Sequence, residues 1–297
     1  MLFKFLMYLF FCLICASLSA SQYSDEFARR KFWPMTAVPY ANDKRCTDLC
    51  FNSYEYYRTV EVNCDLMKNG SDTCAGAAIA SNDDKAIILT FRGTAGDHQL
   101  DEEMNSLWDK VPFPGGGNVS HYFYNAFLTV WNGGVKDDFN TFKNRYPNYE
   151  LWITGHSLGG IMAALGAGHI SALKIANPSS IKLITFGEPH GGDQIWADKM
   201  TTLLPYAYRV VKRHDLVPHM PFDFHPEWQY THHIKEIWYN NTMEEGDPYI
   251  ECDIQESSKC SNSVSKDLWT WLDHGYFPGD DRCLVWCQKG PFTTPSF

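Results

Sequence analysis

In Leu151-Trp152-Ile153-Thr154-Gly155-His156-Ser157-Leu158-Gly159-Gly160-Ile161-Met162-Ala163-Ala164, a strand-forming run enters a glycine-bounded serine and leaves it as a small, apolar helix. The pattern is G-x-S-x-G in the setting its chemistry requires. A serine on a strained strand-to-helix turn projects its hydroxyl above the end of a sheet, and glycines on both flanks let strand and helix approach closely. The competing reading is a mere glycine-rich packing turn; the strand before and the helix after favour Ser157 as a nucleophile.

Outward from this turn, runs rich in β-branched and aromatic residues predict strands at Ala86–Phe91, Glu150–Thr154, Ile181–Phe186, Tyr206–Val211 and Ile234–Tyr239. Helix-length segments lie between several of them, at Tyr124–Arg145, Leu158–Lys174 and Gln194–Leu204. Strands alternating with helices imply βαβ units, hence an α/β fold with a central, mostly parallel sheet flanked by helices. Ligands then belong at the carboxyl ends of the strands. No repeat or Pro/Ser-rich linker divides residues 21–297, which read as one domain.

A serine hydroxyl is a poor nucleophile until a base takes its proton, and in this arrangement the acid and the histidine follow the serine in the chain. Asp215, in Lys212-Arg-His-Asp-Leu-Val-Pro-His, stands just past a strand at a carboxyl end. A solvated turn aspartate is the alternative. Asp193, Asp198 and Asp253 are weaker rivals, since they sit in or before a helix or in a disulfide loop. The downstream histidines are His169, His190, His214, His219, His225, His232, His233 and His274. Position favours His274, late in the chain, where the last element folds back over Ser157. His232 and His233 begin a strand, so alternation turns one inward and the other outward, in structural roles. A metal site drawn from His214, His219, His225, His232 and His233 is the alternative for this cluster; with no H-E-x-x-H in the chain, no metal is expected. A tetrahedral intermediate needs two N–H donors. One is Leu158, after the nucleophile, and the other is Thr94, in Phe91-Arg-Gly-Thr at the end of an earlier strand.

The N-terminus reads as a secretory signal peptide over residues 1–20, with Lys4 before an apolar run from Phe5 to Ala16 and small residues after it. The run is too short to span a bilayer with margin, and no other stretch is long and apolar enough, so no transmembrane segment is expected. Of the ten cysteines, Cys12 and Cys15 fall in this segment, leaving an even number for disulfides in an oxidising compartment. Cys64 with Cys74 and Cys252 with Cys260 would close short loops, and a clamp from Cys46/Cys50 to Cys283/Cys287 would tie the chain ends together. Sequons at Asn69, Asn118 and Asn240 predict glycosylated, exposed loops. A net charge of −10 opposes nucleic-acid binding and long-range attraction to anionic membranes, so contact with lipid should be apolar and local.

Taken together, Phe91-Arg-Gly-Thr, Thr154-Gly-His-Ser-Leu-Gly-Gly, Thr185-Phe-Gly-Glu-Pro, Arg209-Val-Val with His214-Asp-Leu-Val-Pro-His-Met-Pro, and Cys260-Ser-Asn-Ser with Asp273-His-Gly-Tyr-Phe resemble the class 3 lipase family, the fungal-type triacylglycerol lipases of the α/β-hydrolase fold. The pieces run in family order from about residue 85 to residue 278. The resemblance implies Ser157, Asp215 and His274 as a triad, Thr94 and Leu158 as oxyanion donors, and no cofactor. One departure is Ser120-His-Tyr-Phe-Tyr, where the family usually has a histidine followed closely by Gly-Phe, and this bears on the shape of the acyl pocket. The family also carries a helical lid. Here Leu100, Met104, Leu107 and Trp108 share one helix face, with Asp101, Glu102, Glu103 and Asp109 around the rest. An ordinary surface helix explains the pattern equally well. The implied activity is a secreted triacylglycerol lipase working through an acyl-enzyme at a lipid–water interface. A phospholipase A1 or general carboxylesterase is the alternative within enzymes, and a non-catalytic lipid-binding protein the alternative outside them.

Overall fold

The computed structural model describes residues 22–40, 44–66, 72–96, 99, 109–221 and 229–277. Among these, ten strands form two sheets: β1 (Tyr54–Asn63), β2 (Thr73–Ser81), β3 (Ala86–Phe91), β4 (Lys110–Pro112), β5 (Asn118–Ser120), β6 (Glu150–His156), β7 (Ile181–Phe186), β8 (Ala207–Lys212), β9 (Glu236–Tyr239) and β10 (Ile250–Cys252). The large sheet has the order β1-β2-β3-β6-β7-β8-β9-β10, and β4 and β5 pair as a separate ribbon. Its centre, β3 to β9, is parallel, as expected from the alternation of strands and helices. The edges are antiparallel: β1 on β2, β2 on β3 and β10 on β9. These edge strands are the ones that periodicity did not bring out.

Four helices carry the crossovers: α1 (His121–Val130), α2 (Lys136–Arg145), α3 (Leu158–Ala172) and α4 (Gln194–Leu203). The single helix expected over Tyr124–Arg145 is instead two. A wider turn over Trp131–Val135 separates them, and Gly134 there has φ 146°, which no helical residue adopts. Residues of opposite parity on the central strands feed two cores. Ile87, Leu89, Phe91, Leu151 and Ile153 pack with α1 to α4. Ile88, Trp152, Ile184 and Phe186 pack instead against Phe32, Trp33, Met35 and Val38 of the N-terminal segment. Both sheet faces are therefore covered, which accounts for the continuous apolar runs of β3 and β6.

Disulfides Cys64–Cys74 and Cys252–Cys260 are formed as expected. Cys46 is also disulfide-bonded. The proposed clamp to Cys283 and Cys287 falls outside the described residues, as do the signal segment, Asn69, His225 and the lid residues Leu100, Met104, Leu107 and Trp108. No helix among the described residues is long and apolar enough to cross a membrane.

Candidate active site

Ser157 stands between β6 and α3 with φ 60° and ψ −131°, a conformation that a non-glycine residue holds only under constraint. The constraint comes from both sides of the turn. Its own N–H donates to the Phe186 carbonyl on β7 (2.9 Å), and its carbonyl accepts the Gly160 N–H (2.8 Å) to start α3. A Cβ on Gly155 would lie 2.0 Å from the Gly159 carbonyl oxygen, and one on Gly159 would lie 2.2 Å from that of Phe91. Strand and helix cross so closely here that only glycine fits, which is the reason for the motif.

Asp215 follows β8 and is fully buried. Its carboxylate accepts from the Val217 N–H (3.0 Å), the Tyr276 hydroxyl (2.5 Å) and His274 Nδ1 (2.9 and 3.0 Å to its two oxygens). Burial alone would raise its pKa; the charge and hydrogen bond of His274, with the Tyr276 and Val217 bonds, outweigh this and hold the carboxyl below its ordinary value. Burial, and then the same carboxylate, raise the pKa of the Tyr276 hydroxyl well above its usual value. Because Asp215 can only accept, His274 carries its hydrogen on Nδ1 and leaves Nε2 bare. That Nε2 is buried and has no hydrogen-bond partner among the described residues.

Two further residues set this geometry. His156 donates from Nε2 to the His274 backbone carbonyl (2.8 Å), and the two rings lie 4.3 Å apart. Burial, and then the charge of His274, push the His156 pKa down to about 3, so this ring stays neutral. Gly187, at φ 58°, is the floor: a Cβ there would meet His274 Cε1 at 2.7 Å and Asp215 Oδ2 at 3.0 Å. Sequence reasoning assigned no role to His156, Gly187 or Tyr276. For His156 and Tyr276 the signal is only adjacency to Ser157 and His274, since their partners lie 118 and 61 positions away; Gly187 lies next to neither in the chain.

The residues around Thr94 approach Ser157 from β3. A Cβ on Gly93 would lie 3.4 Å from Ser157 Cβ and 2.6 Å from Tyr40 Oη, so the β3 end presses directly on the Ser157 turn. Arg92 pins this end by donating to Glu61 (2.8 Å) and to the Thr73 hydroxyl (2.8 Å). Leu158 is buried at the first position of α3, where its N–H has no carbonyl four residues back to bond with.

The other sequence candidates go elsewhere. Asp193 caps α4 by accepting the Trp196 N–H (2.9 Å), and His169 bonds the Tyr124 hydroxyl (2.8 Å). His219 stacks on Trp269 with ring centroids 4.0 Å apart. His232 and His233 do not begin a strand, since β9 starts only at Glu236; both point inward, against the expected alternation. Just before them, Thr231 forms an isolated antiparallel bridge with Gly192. Asn240 is exposed. Asn118 is exposed too, but it lies in β5 rather than a loop, and its side-chain amide donates to Asp193 (2.9 Å).

The family model for class 3 lipases matches residues 88–225. A lipase of Caenorhabditis elegans is 31% identical over 300 residues, covering 92% of this chain and 80% of that protein. The lipase of Rhizomucor miehei is 31% identical over 205 residues, 68% of this chain and 54% of its own length, so the chain spans about half of this fungal relative. Among solved structures, a fungal lipase–inhibitor complex described as a model for interfacial activation superposes with a TM-score of 0.71 at 24% identity, over 86% of this chain and 96% of that one. With a relative matched over most of both lengths, the family model matching the middle of the chain and a shared fold, the chain belongs to the class 3 lipase family, carboxylic ester hydrolases of the α/β-hydrolase fold.

Proposed function

We propose that the chain is a secreted serine hydrolase of lipid esters, with triacylglycerols as its foremost substrates, acting through Ser157, His274 and Asp215. The observation that carries this reading is the orientation of His274, with Nδ1 bound to Asp215 and Nε2 bare beside the residue that precedes Ser157. Nε2 takes the Ser157 proton as Oγ attacks the ester carbonyl. The oxyanion is met by the N–H of Leu158 and by Thr94. Collapse expels the alcohol, which takes the proton back from His274, and leaves an acyl-enzyme; water repeats the sequence and releases the acid. Asp215 stabilises the imidazolium at each stage.

Secretion is supported by the N-terminal sequence and the two disulfides. One domain over 21–297, glycans at Asn69, Asn118 and Asn240, and a lid bearing Leu100, Met104, Leu107 and Trp108 complete the reading. Wild-type protein and Ser157→Ala, compared on emulsified triacylglycerols of short and long chain and on phospholipid vesicles, test it. Activity on the triacylglycerols, lost by about 10,000-fold or more in the folded variant, is expected. Hydrolysis confined to phospholipids moves the substrate assignment to a phospholipase, and no turnover of any ester by folded wild type leaves the lipid-binding alternative.

A further inference from the structure

Away from Ser157, one ligand atom each from His190, His232 and Glu256 lies within 4.8 Å of the other two. The three come from separate parts of the chain: His190 follows β7, His232 precedes β9, and Glu256 sits in the loop closed by Cys252–Cys260. His190 Nε2 is 3.3 Å from Glu256 Oε2, His232 Nδ1 is 2.9 Å from Oε1, and the two imidazole rings are 4.1 Å apart.

The hydrogen positions make this arrangement informative. His232 Nε2 lies 3.0 Å from the Glu188 backbone carbonyl. A carbonyl only accepts, so Nε2 carries the hydrogen, and Nδ1 of a neutral ring presents a lone pair. It presents that lone pair to a carboxylate, which also only accepts. The two repel unless a positive charge stands between them. The carboxylate is meanwhile held in place: Oε1 accepts the His232 backbone N–H (3.0 Å) and the Thr231 hydroxyl (3.3 Å), and Oε2 accepts from Asn262 (2.8 Å). His190 is 8% exposed; its Nε2 faces the same carboxylate (3.3 Å), and its Nδ1 is buried without a hydrogen-bond partner among the described residues.

We propose that His190, His232 and Glu256 bind a divalent metal ion of the zinc type. Two imidazoles and one carboxylate suit zinc, whereas calcium and magnesium take oxygen ligands. The Glu188 carbonyl orients His232 and fixes its tautomer, and Asn262 and Thr231 orient the carboxylate, as the outer partners of metal ligands do. The Glu256 side chain is 33% exposed, which gives the ion its way in and its remaining position to water. Bound there, the ion ties the disulfide loop to the segment after Gly187, the floor under His274 and Asp215. The inference is independent of which ester the chain cleaves.

The test uses the whole chain, purified without a polyhistidine tag and stripped with EDTA. Zinc chloride is titrated by calorimetry and cobalt chloride by visible absorption, beside Glu256→Gln and His190→Asn. The expected result is one ion per chain, cobalt bands of a four-coordinate nitrogen/oxygen site, and a thermal midpoint that rises with zinc. Each variant with a native circular dichroism spectrum should bind more than about ten-fold more weakly. No saturable binding up to about 1 mM zinc, or unchanged affinity in the variants, overturns the proposal and leaves a proton between His232 and Glu256. If neither variant folds, the wild-type cobalt spectrum decides, and absence of four-coordinate bands overturns it.

Discussion

At the scale of single residues, the site depends on where one imidazole is held. Asp215 and Tyr276 fix the Nδ1 side of His274, and His156 holds its backbone by a hydrogen bond from a ring that burial keeps neutral. On the proposed mechanism His156 is thus a positioning residue. His156→Phe keeps a ring in place but removes the donor, so the His274 carbonyl loses its partner and the backbone is free to shift. The expected effect is a fall in kcat of about 10- to 100-fold with KM little changed, measured on a soluble ester with the thermal midpoint followed in parallel. Equal loss of stability and activity, or a change in KM alone, would show that His156 only fills space.

At the scale of elements, the crossing of β6, α3 and β3 is the tightest feature of the fold. Helix α3 is buried along nearly its whole length and is built of glycine, alanine and a few larger apolar residues, which lets the neighbouring helices approach it. Gly166 faces Phe127 of α1, and Gly168 faces Met200 of α4. Gly159 has no room at all, because its neighbour is backbone. Gly159→Ala is expected to destabilise the protein by about 3 kcal/mol or more, read as a lower urea midpoint with an unchanged slope. A cost under about 1 kcal/mol would mean that β3 can retreat, and that the crossing is looser than the distances imply.

At the scale of the whole molecule, buried neutral histidines make stability depend on pH. His156 titrates at about 3 in the folded protein, through burial and the charge of His274, against 6.5 for an unperturbed imidazole. His169 is lowered as well, by burial and then by Lys136. Between those limits the unfolded chain binds protons that the folded chain does not, so stability is complete above pH 6.5 and is lost as pH falls towards 3. The slope from His156 is about 1.4 kcal/mol per pH unit within this window. Urea midpoints measured from pH 7 to pH 4.5 should therefore fall steadily, and His156→Phe should flatten the fall. A midpoint that stays level over this range would contradict the burial of His156.

Local chemistry is legible along the chain. The glycines flanking Ser157 mark a strand–helix crossing, alternation of apolar strands and helices specifies the parallel centre of the sheet, and the short cysteine spacings of Cys64–Cys74 and Cys252–Cys260 close where they can reach. Asp215 stands out in the sequence as the aspartate just past a strand, and His274 through its place late in the chain and through the family resemblance. The antiparallel edge strands were not, since β1 carries a mixed pattern and β2 is small-residue and buried on both faces. Nor was the covering of one sheet face by residues 23–40, which have no regular apolar period. It takes the folded chain to bring His156 to the His274 carbonyl, Gly187 under the histidine, and His190, His232 and Glu256 together. Each of these is a contact between segments far apart in the chain, set by how the sheet twists and how its loops return, and no pattern of neighbours along a sequence encodes that distance.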